Sequence, residues 1–309
     1  MWLFWEMRYL AVILALLSTA EPVLADKLML TGNGTVHAAL DGKLVHITID
    51  YKIKNEGNVS ARQVFPEFRL GTWTWIGPTT MLKAGTSHDW DLNEAFEKTF
   101  LQCREGDACA GLILPETGIF PLLITKHYQD LDAYQFSAPS VLTVAVGVSQ
   151  ETLARLSQIP FQASLSFVGD GRQFTGHLKL TNSSSVERLV AVSYHASREI
   201  LIESKPQVVI LPAAGSNDAT FQLQNVSALS GSVYPVFVVF QWDEGGVRDS
   251  YSISKHVLLK GPKHSPMSAF FVWFTVAIGM LAVLLVFSLL SPTAPIRNQL
   301  TRLRRANPS

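Results

Sequence analysis

Cysteine and histidine are scarce in this 309-residue sequence, and they form no metal-binding pattern. The two cysteines, Cys103 and Cys109, enclose no histidine, and the eight histidines include no His-x-His or His-x3-His pair. Zinc, haem and blue-copper sites use thiolates and imidazoles in such close spacings. We therefore expect no metal and no cofactor.

Motifs of catalysis and of nucleic-acid binding are also absent. The sequence contains no Gly-x-Ser-x-Gly elbow and no phosphate-binding glycine loop. Its 25 basic residues are balanced by 25 acidic ones without a basic run in the main part of the chain, so nucleic acid is not an expected partner. One group of carboxylates has neither calcium-loop nor acid–base spacing and predicts a solvated surface: Asp89, Asp91, Glu94 and Glu97. We expect a protein that is not an enzyme.

Long apolar runs are confined to the two ends of the sequence. Met267 to Leu290 carries no ionisable side chain, and about 20 apolar residues in a helix span the hydrocarbon core of a bilayer. The tail at 291–309 holds four arginines and no acid. By the positive-inside rule, this pattern predicts one transmembrane helix at 267–290, followed by a short basic cytoplasmic tail.

The other apolar run, Leu10 to Ala20, is shorter and is followed by Val23-Leu24-Ala25. A short run before small residues is typical of a secretory signal peptide, here residues 1–25. An uncleaved anchor is the alternative that the sequence leaves open. With cleavage, residues 26 to about 265 face the periplasm or the cell exterior, and the lipid bilayer is a partner.

Export places the two cysteines in an oxidising compartment. Cys103 and Cys109 are expected to close a small disulfide loop, because disulfides form in oxidising compartments. So short a loop stabilises a fold by at most about 2 kcal/mol.

The region between the ends is rich in alternating segments. From Val45 to Ile53, every second residue is apolar. Such alternation indicates a half-buried strand, and the preceding Asp41-Gly42 indicates a hairpin turn. Asn55 then ends the strand with a residue that favours turns.

The same pattern occurs a second time. An alternating strand runs from Phe174 to Leu180, and Asn182 stands where Asn55 stands in the first copy. Two further blocks repeat in the same order, and the matched pairs are Lys83 to Asp89 with Pro212 to Asp218, and Gly118 to Asp130 with Gly231 to Glu244. Two copies of one module are therefore predicted.

Short strands, frequent turn residues and little helical periodicity predict an all-β fold of two tandem immunoglobulin-like antiparallel β-sandwiches. We assign residues 26–148 to the first sandwich and residues 149–262 to the second. The first contains an insertion at 93–117, where Phe96 and Phe100 indicate a short helix. Another short helix is expected at 149–156, because Ser149 suits its cap.

Several of these motifs resemble the immunoglobulin-like modules of bacterial and archaeal cell-surface proteins, of the adhesion-related and glycosidase-associated types. They are Asn55-Glu56-Gly57-Asn58, the Ala-Gly turn, and Phe120-Pro121 or Tyr234-Pro235 before an aromatic strand. The resemblance covers most of residues 27 to 262. It implies tandem sandwiches before a C-terminal membrane helix and a scaffold role, and it transfers no catalytic residue.

Four aromatic residues are the candidate binding surface: Trp73, Trp75, Trp90 and Phe68. Trp73 and Trp75 stand at positions i and i+2 of a strand and share one face, where two indoles form a platform for sugar rings or apolar side chains. The alternative is that these side chains fill the core between two sheets, where large aromatic residues are normal, and the sequence favours this alternative without excluding the platform.

Together these features predict a membrane-anchored exported adhesion, scaffold or accessory subunit. It presents a protein-binding surface near the membrane to a partner in the cell envelope. The alternative is a carbohydrate-binding protein that captures or assembles polysaccharide.

Overall fold

The computed structural model describes residues 28–102, 112, 114–156, 159–169, 172–229, 231–259 and 280. The predicted signal peptide, the cytoplasmic tail, both cysteines of the predicted disulfide and, apart from Met280, the predicted membrane segment lie outside these residues. Among the described residues, no helix has the length and apolarity needed to cross a membrane.

The predicted hairpin is confirmed as β1 (Leu30–Asp41) and β2 (Leu44–Asn55), which pair in antiparallel register from end to end. Gly42 turns the chain with φ of 59°, a left-handed value that glycine adopts without strain. In β2 the residues from Val45 to Ile53 alternate strictly between buried and exposed. The apolar face of this strand therefore lies on the core.

Six further strands complete the first sandwich: β3 (Ala61–Leu70), β4 (Trp73–Ile76), β5 (Thr80–Leu82), β6 (Ser87–Glu97), β7 (Gly118–Gln129) and β8 (Gln135–Val146). One sheet has the order β1-β2-β6. In the facing sheet, β3 pairs with β4, β5 and β7, and β7 pairs with β8. Apolar side chains from both sheets form one buried cluster.

The prediction of a short helix in the insertion is wrong for residues 93–97, which form a strand. Residues 93–97 pair with β2 as the end of β6, and only a 3-10 turn follows, Lys98–Leu101. The pairing with β2 satisfies the backbone of the region where a helix was expected. By contrast, the helix after the first sandwich is confirmed as α1 (Gln150–Leu156), and the Thr152 amide donates to the capping Ser149 hydroxyl at 3.2 Å.

The second sandwich repeats the plan with eight strands: β9 (Phe161–Gly169), β10 (Gln173–Asn182), β11 (Arg188–Ala196), β12 (Ile200–Ile202), β13 (Gln207–Leu211), β14 (Ser216–Asn225), β15 (Val233–Asp243) and β16 (Arg248–Leu258). Its sheets are β12-β14-β10-β9 and β13-β11-β15-β16. The two copies differ at the fourth strand, because β4 pairs with β3 whereas β12 pairs with β14 of the opposite sheet. The strands of both sandwiches and their antiparallel pairing confirm the immunoglobulin-like all-β character of the described residues.

A buried asparagine ends the second strand of the first sandwich. The side-chain amide of Asn55 donates to the carbonyl oxygens of Val59, at 2.8 Å, and Leu82, at 3.1 Å. Its side-chain oxygen accepts from the Gly57 amide at 3.0 Å. One side chain thus ties together the turn after β2 and the end of β5.

Asn182 plays the same part in the second sandwich. Its side-chain amide donates to the carbonyl oxygens of Val186, at 2.7 Å, and Pro212, at 3.0 Å, and its oxygen accepts from the Ser184 amide at 2.9 Å. This equivalence extends the internal repeat from a sequence pattern to a shared hydrogen-bond arrangement.

Replacing Asn55 or Asn182 by alanine is expected to lower the free energy of unfolding by about 2 kcal/mol in each case, because buried backbone groups lose their partners. Denaturant unfolding of the single variants measures the loss. The control is Asn93→Ala on the exposed face of β6, which should change stability by less than about 0.5 kcal/mol. Equal effects at all three positions would contradict the structural role of the two buried asparagines.

The two sandwiches join through their sheets. Strands β16 and β7 pair in parallel at Arg248 and Gly118, which creates a single nine-stranded sheet. Seven of its strands follow the order β13-β11-β15-β16-β7-β3-β4, and the other two, β5 and β8, pair with β3 and β7. The described residues from Leu28 to Leu259 accordingly belong to one compact unit.

Candidate functional site

Two of the four predicted surface aromatics lie in the core of the first sandwich. Phe68 and Trp90 are buried, and the Trp90 indole donates to the Pro78 carbonyl oxygen at 3.1 Å. These two side chains therefore offer no surface to a ligand.

Trp73 and Trp75 are half-buried on β4. Trp73 stacks on Phe96 with ring centroids 5.0 Å apart, and Trp75 packs on Phe68 at 5.5 Å. A core aromatic thus covers part of each indole. The structure places these residues mainly in packing roles.

The predicted carboxylate group lies on the outer face of β6. Asp89 pairs with Lys52 at 3.3 Å, and Asp91 stands opposite Asp50 along a groove of about 390 Å³. Within the described residues, no three acidic, histidine or cysteine side chains lie close enough to hold a metal ion.

Several buried polar side chains lie where the two sandwiches meet, Arg248 and Glu199 among them. Arg248, the first residue of β16, is 2% exposed, and its guanidinium donates to the Leu101 carbonyl oxygen at 3.0 Å and to that of Leu114 at 3.5 Å. The guanidinium carbon lies 4.5 Å from the centre of the Phe120 ring. Burial lowers the pKa of Arg248 to about 10, while the nearby Glu116 carboxylate opposes that shift. Arg248 thus inserts its charge from the second sandwich into the first.

The backbone beside Arg248 leaves no room for another side chain. The Arg248 amide donates to the Thr117 carbonyl oxygen at 2.8 Å. Gly118 has φ of 137°, and a Cβ atom there would lie 1.9 Å from the Arg248 carbonyl oxygen. Only glycine allows the two strands to approach this closely.

A second buried contact lies at the opposite end of β8. Glu199 is 0% exposed, and its carboxylate accepts from the Ser137 amide at 2.9 Å and from the Ser137 hydroxyl at 3.4 Å. The Arg198 amide in turn donates to the Ser137 hydroxyl at 2.7 Å. Burial raises the pKa of Glu199, although these hydrogen bonds oppose the shift.

Between these two contacts, strands β11 and β15 are buried on both faces. Val190 and Val192 lie in the core of the second sandwich, whereas Ala191 packs against Leu114 of the first. In β15 the run from Val238 to Trp242 is buried without a break. Continuous burial marks a strand that is covered on both sides. The inter-sandwich contact therefore extends along the sheet.

A pocket of about 320 Å³ opens between the two sandwiches near Glu199. We call it the junction pocket. The first sandwich contributes Tyr128, Asp130, Asp132 and Phe136 to its lining, and the second contributes Leu229. The Tyr128 and Phe136 rings are stacked with centroids 5.4 Å apart.

Exposed apolar side chains lie in the chain segments next to the residues that line this pocket. Because β7 and β16 run parallel, both strands end on the same side of the unit, which we call the junction end. The Tyr134 hydroxyl of the β7–β8 turn donates to the Ser227 carbonyl oxygen there. The exposed apolar residues of the junction end are Met29, Leu131, Val226, Leu229, Val233 and Leu258.

No family model matches the sequence, and no curated protein matches it. Among solved structures, the chain is similar to red sea bream transglutaminase, with 11% identity over 76% of this chain and 31% of that chain and a TM-score of 0.24. The native E. coli alpha-2-macroglobulin gives 10% identity, 74% and 17% coverage and a TM-score of 0.28. The YadV chaperone gives 14% identity, 73% and 99% coverage and a TM-score of 0.25. This chain spans less than a third of the length of the first two, and at these scores the likenesses carry no argument about function.

Proposed function

We propose that this protein is a membrane-anchored exported scaffold or accessory subunit that binds another protein of the cell envelope through its junction end. The observation that carries the proposal is the group of exposed apolar side chains at the junction end. Groups of exposed apolar side chains can mark interaction sites on folded domains. The anchor is the apolar segment from Met267 to Leu290, which begins eight residues after Leu259 in the sequence.

The buried junction supports a scaffold role. Arg248 at one end of β8 and Glu199 at the other connect the two sandwiches through hydrogen bonds shielded from water. Separate modules on a flexible linker would present a binding surface in many orientations. Here, surfaces contributed by both sandwiches, such as Leu131 and Leu229, are held side by side for a partner.

The carbohydrate alternative has less support. It requires the indoles of Trp73 and Trp75 to face solvent as a platform for sugar rings. Their contacts with Phe96 and Phe68 commit part of each ring to the core of the first sandwich. We therefore do not include polysaccharide in the proposed function.

Site-specific photocrosslinking in intact cells tests the proposal. A photoreactive phenylalanine analogue replaces Leu131 or Leu229 at the junction end. The matched control positions are two exposed residues that pair with each other, Leu189 near the start of β11 and Ile210 on β13. We expect one discrete protein adduct from the first pair and none from the second. Adducts of equal yield at all four positions, adducts with lipid alone, or no adduct at all would contradict the proposal.

A further inference from the structure

We propose that the junction pocket receives a basic side chain, lysine or arginine, from the protein partner. This inference rests on the proposed function, because it names the chemistry by which the partner is recognised. It is carried by the shape of the pocket, by the charges that line it and by the fact that both sandwiches are needed to form it.

The walls of the pocket suit the apolar stem of a long basic side chain. Leu28 and Leu131 line it from the first sandwich, and Leu229 lines it from the second. The stacked rings of Tyr128 and Phe136 add aromatic surface. Lysine and arginine bury their methylene groups against such surfaces, and a cation near an aromatic face gains a further attraction.

The charged groups that line the pocket are both acidic. They are Asp130 and Asp132, and none of its described lining residues is lysine, arginine or histidine. The Tyr134 amide donates to one oxygen of the Asp130 carboxylate at 2.8 Å, which holds that carboxylate in place. The lining is therefore complementary to a positive charge.

Among the described residues, no ion pair within 4 Å joins Asp130 or Asp132 to a lysine or arginine. Arg62 directs its guanidinium to the Leu131 carbonyl oxygen at 3.5 Å, and Arg198 donates to the Gln135 side chain at 2.5 Å. Neither arginine lines the pocket. The carboxylate of Glu199 does not line the pocket and accepts a hydrogen bond from the Ser137 amide.

Other side chains fit this lining less well. An apolar residue would cover the two carboxylates without giving them a partner, and such desolvation is unfavourable. An acidic residue would bring a third negative charge to the same site. A basic residue supplies a counter-charge together with an apolar stem, so the observations favour it over both.

Binding of short peptides to the full-length protein in detergent micelles tests the inference. The probes are capped tripeptides with lysine, norleucine or glutamate between two alanines, and the readout is the methyl NMR signal of Leu28, Leu131 and Leu229. We expect the lysine peptide to shift these signals with an affinity at least tenfold higher than the norleucine peptide. Equal affinities, or no shift with lysine, would overturn the inference.

Variants separate the charge effect from loss of structure. The pair Asp130→Asn and Asp132→Asn should remove the tenfold preference for lysine. The matched pair Asp50→Asn and Asp91→Asn, in the groove of the first sandwich, should retain it. Circular dichroism shows whether each variant keeps its strand content, and a preference that survives in a folded Asp130/Asp132 variant would overturn the inference.

Photocrosslinking distinguishes failure of this inference from failure of the scaffold proposal. If the Leu229 adduct forms equally well with the Asp130/Asp132 variant, the scaffold proposal stands and recognition of a basic side chain is overturned. If no adduct forms when the analogue replaces Leu229 and both aspartates are unchanged, the scaffold proposal fails, regardless of the peptide-binding result. Loss of the adduct together with loss of lysine preference supports both.

Discussion

Replacing Arg248 by alanine is expected to lower the free energy of unfolding by about 3–5 kcal/mol. The substitution removes a large buried side chain that packs over Phe120, and it leaves the carbonyl oxygens of Leu101 and Leu114 without the donor that now reaches them. Because these groups belong to the first sandwich while residue 248 belongs to the second, the loss should also weaken their mutual docking.

Urea unfolding of the full-length protein in detergent, followed by tryptophan fluorescence, measures this loss. We expect a lower midpoint and a division of the transition into two steps, as each sandwich unfolds separately. The control is Arg155→Ala on the exposed side of α1, which should leave the midpoint nearly unchanged. A change below about 1 kcal/mol for Arg248→Ala would show that the buried guanidinium does not hold the sandwiches together.

Asp249 and His195 are expected to change stability with pH in opposite directions. Burial raises the pKa of Asp249 to about 6, above its ordinary value of 3.8, and the nearby Glu244 carboxylate adds to the shift. Between these two values the folded state binds more protons than the unfolded state. Asp249 therefore favours folding increasingly as the pH falls from about 6 to about 4.

His195 changes the stability in the opposite direction as the pH falls. Burial between the sandwiches lowers its pKa to about 4 from an ordinary value of 6.5, and Arg69 of the first sandwich adds to the shift. Its ring nitrogen lies 3.0 Å from the Ser193 hydroxyl. The unfolded state binds more protons in this interval, so stability is lost as the pH falls through it. Each group contributes on the order of 2–3 kcal/mol at full effect.

Substitution by uncharged residues separates the two contributions. From pH 7 to pH 4, the stability of the unaltered protein relative to Asp249→Asn should rise by about 2–3 kcal/mol, and its stability relative to His195→Gln should fall by a similar amount. Urea unfolding at four pH values measures both differences. Parallel pH profiles for all three proteins would show that neither group is buried in the folded state as described.

The local structure of the chain could be predicted because its signals are local. The alternation from Val45 to Ile53 identified a strand with one buried face, and Asp41-Gly42 identified its turn. Asn55 and Asn182 were matched by position alone, and they proved to hold equivalent turns. Ser149 marked the start of α1 by the same kind of short-range chemistry.

The junction could not be predicted, because its contacts join residues far apart in sequence. Arg248 bonds to Leu101, and a polar residue at a strand start gives no local sign of burial. One signal was present in the sequence: the unbroken apolar run from Val236 to Phe240 is typical of a strand covered on both faces. A strand with one face exposed to solvent would instead alternate between apolar and polar residues.

The burial of Phe68 and Trp90 could not be predicted for a different reason. Strand periodicity places Trp73 and Trp75 on one face but does not say whether that face is covered. Phe96 and Phe68, which pack on the two indoles, come from separate strands. The insertion boundary shows the same limitation, since residues 93–97 continue β6 by pairing with β2.

The first and the last described residues of the compact unit, Leu28 and Leu259, lie at the same end of it. Leu28 lines the junction pocket beside Ser232, whose carbonyl oxygen accepts from the Leu259 amide at 3.1 Å. Units with neighbouring ends tolerate circular permutation and insertion into a host loop. The pair of sandwiches could thus be spliced into the surface turn of another protein through two short connections, without opening the contacts of Arg248 or Glu199.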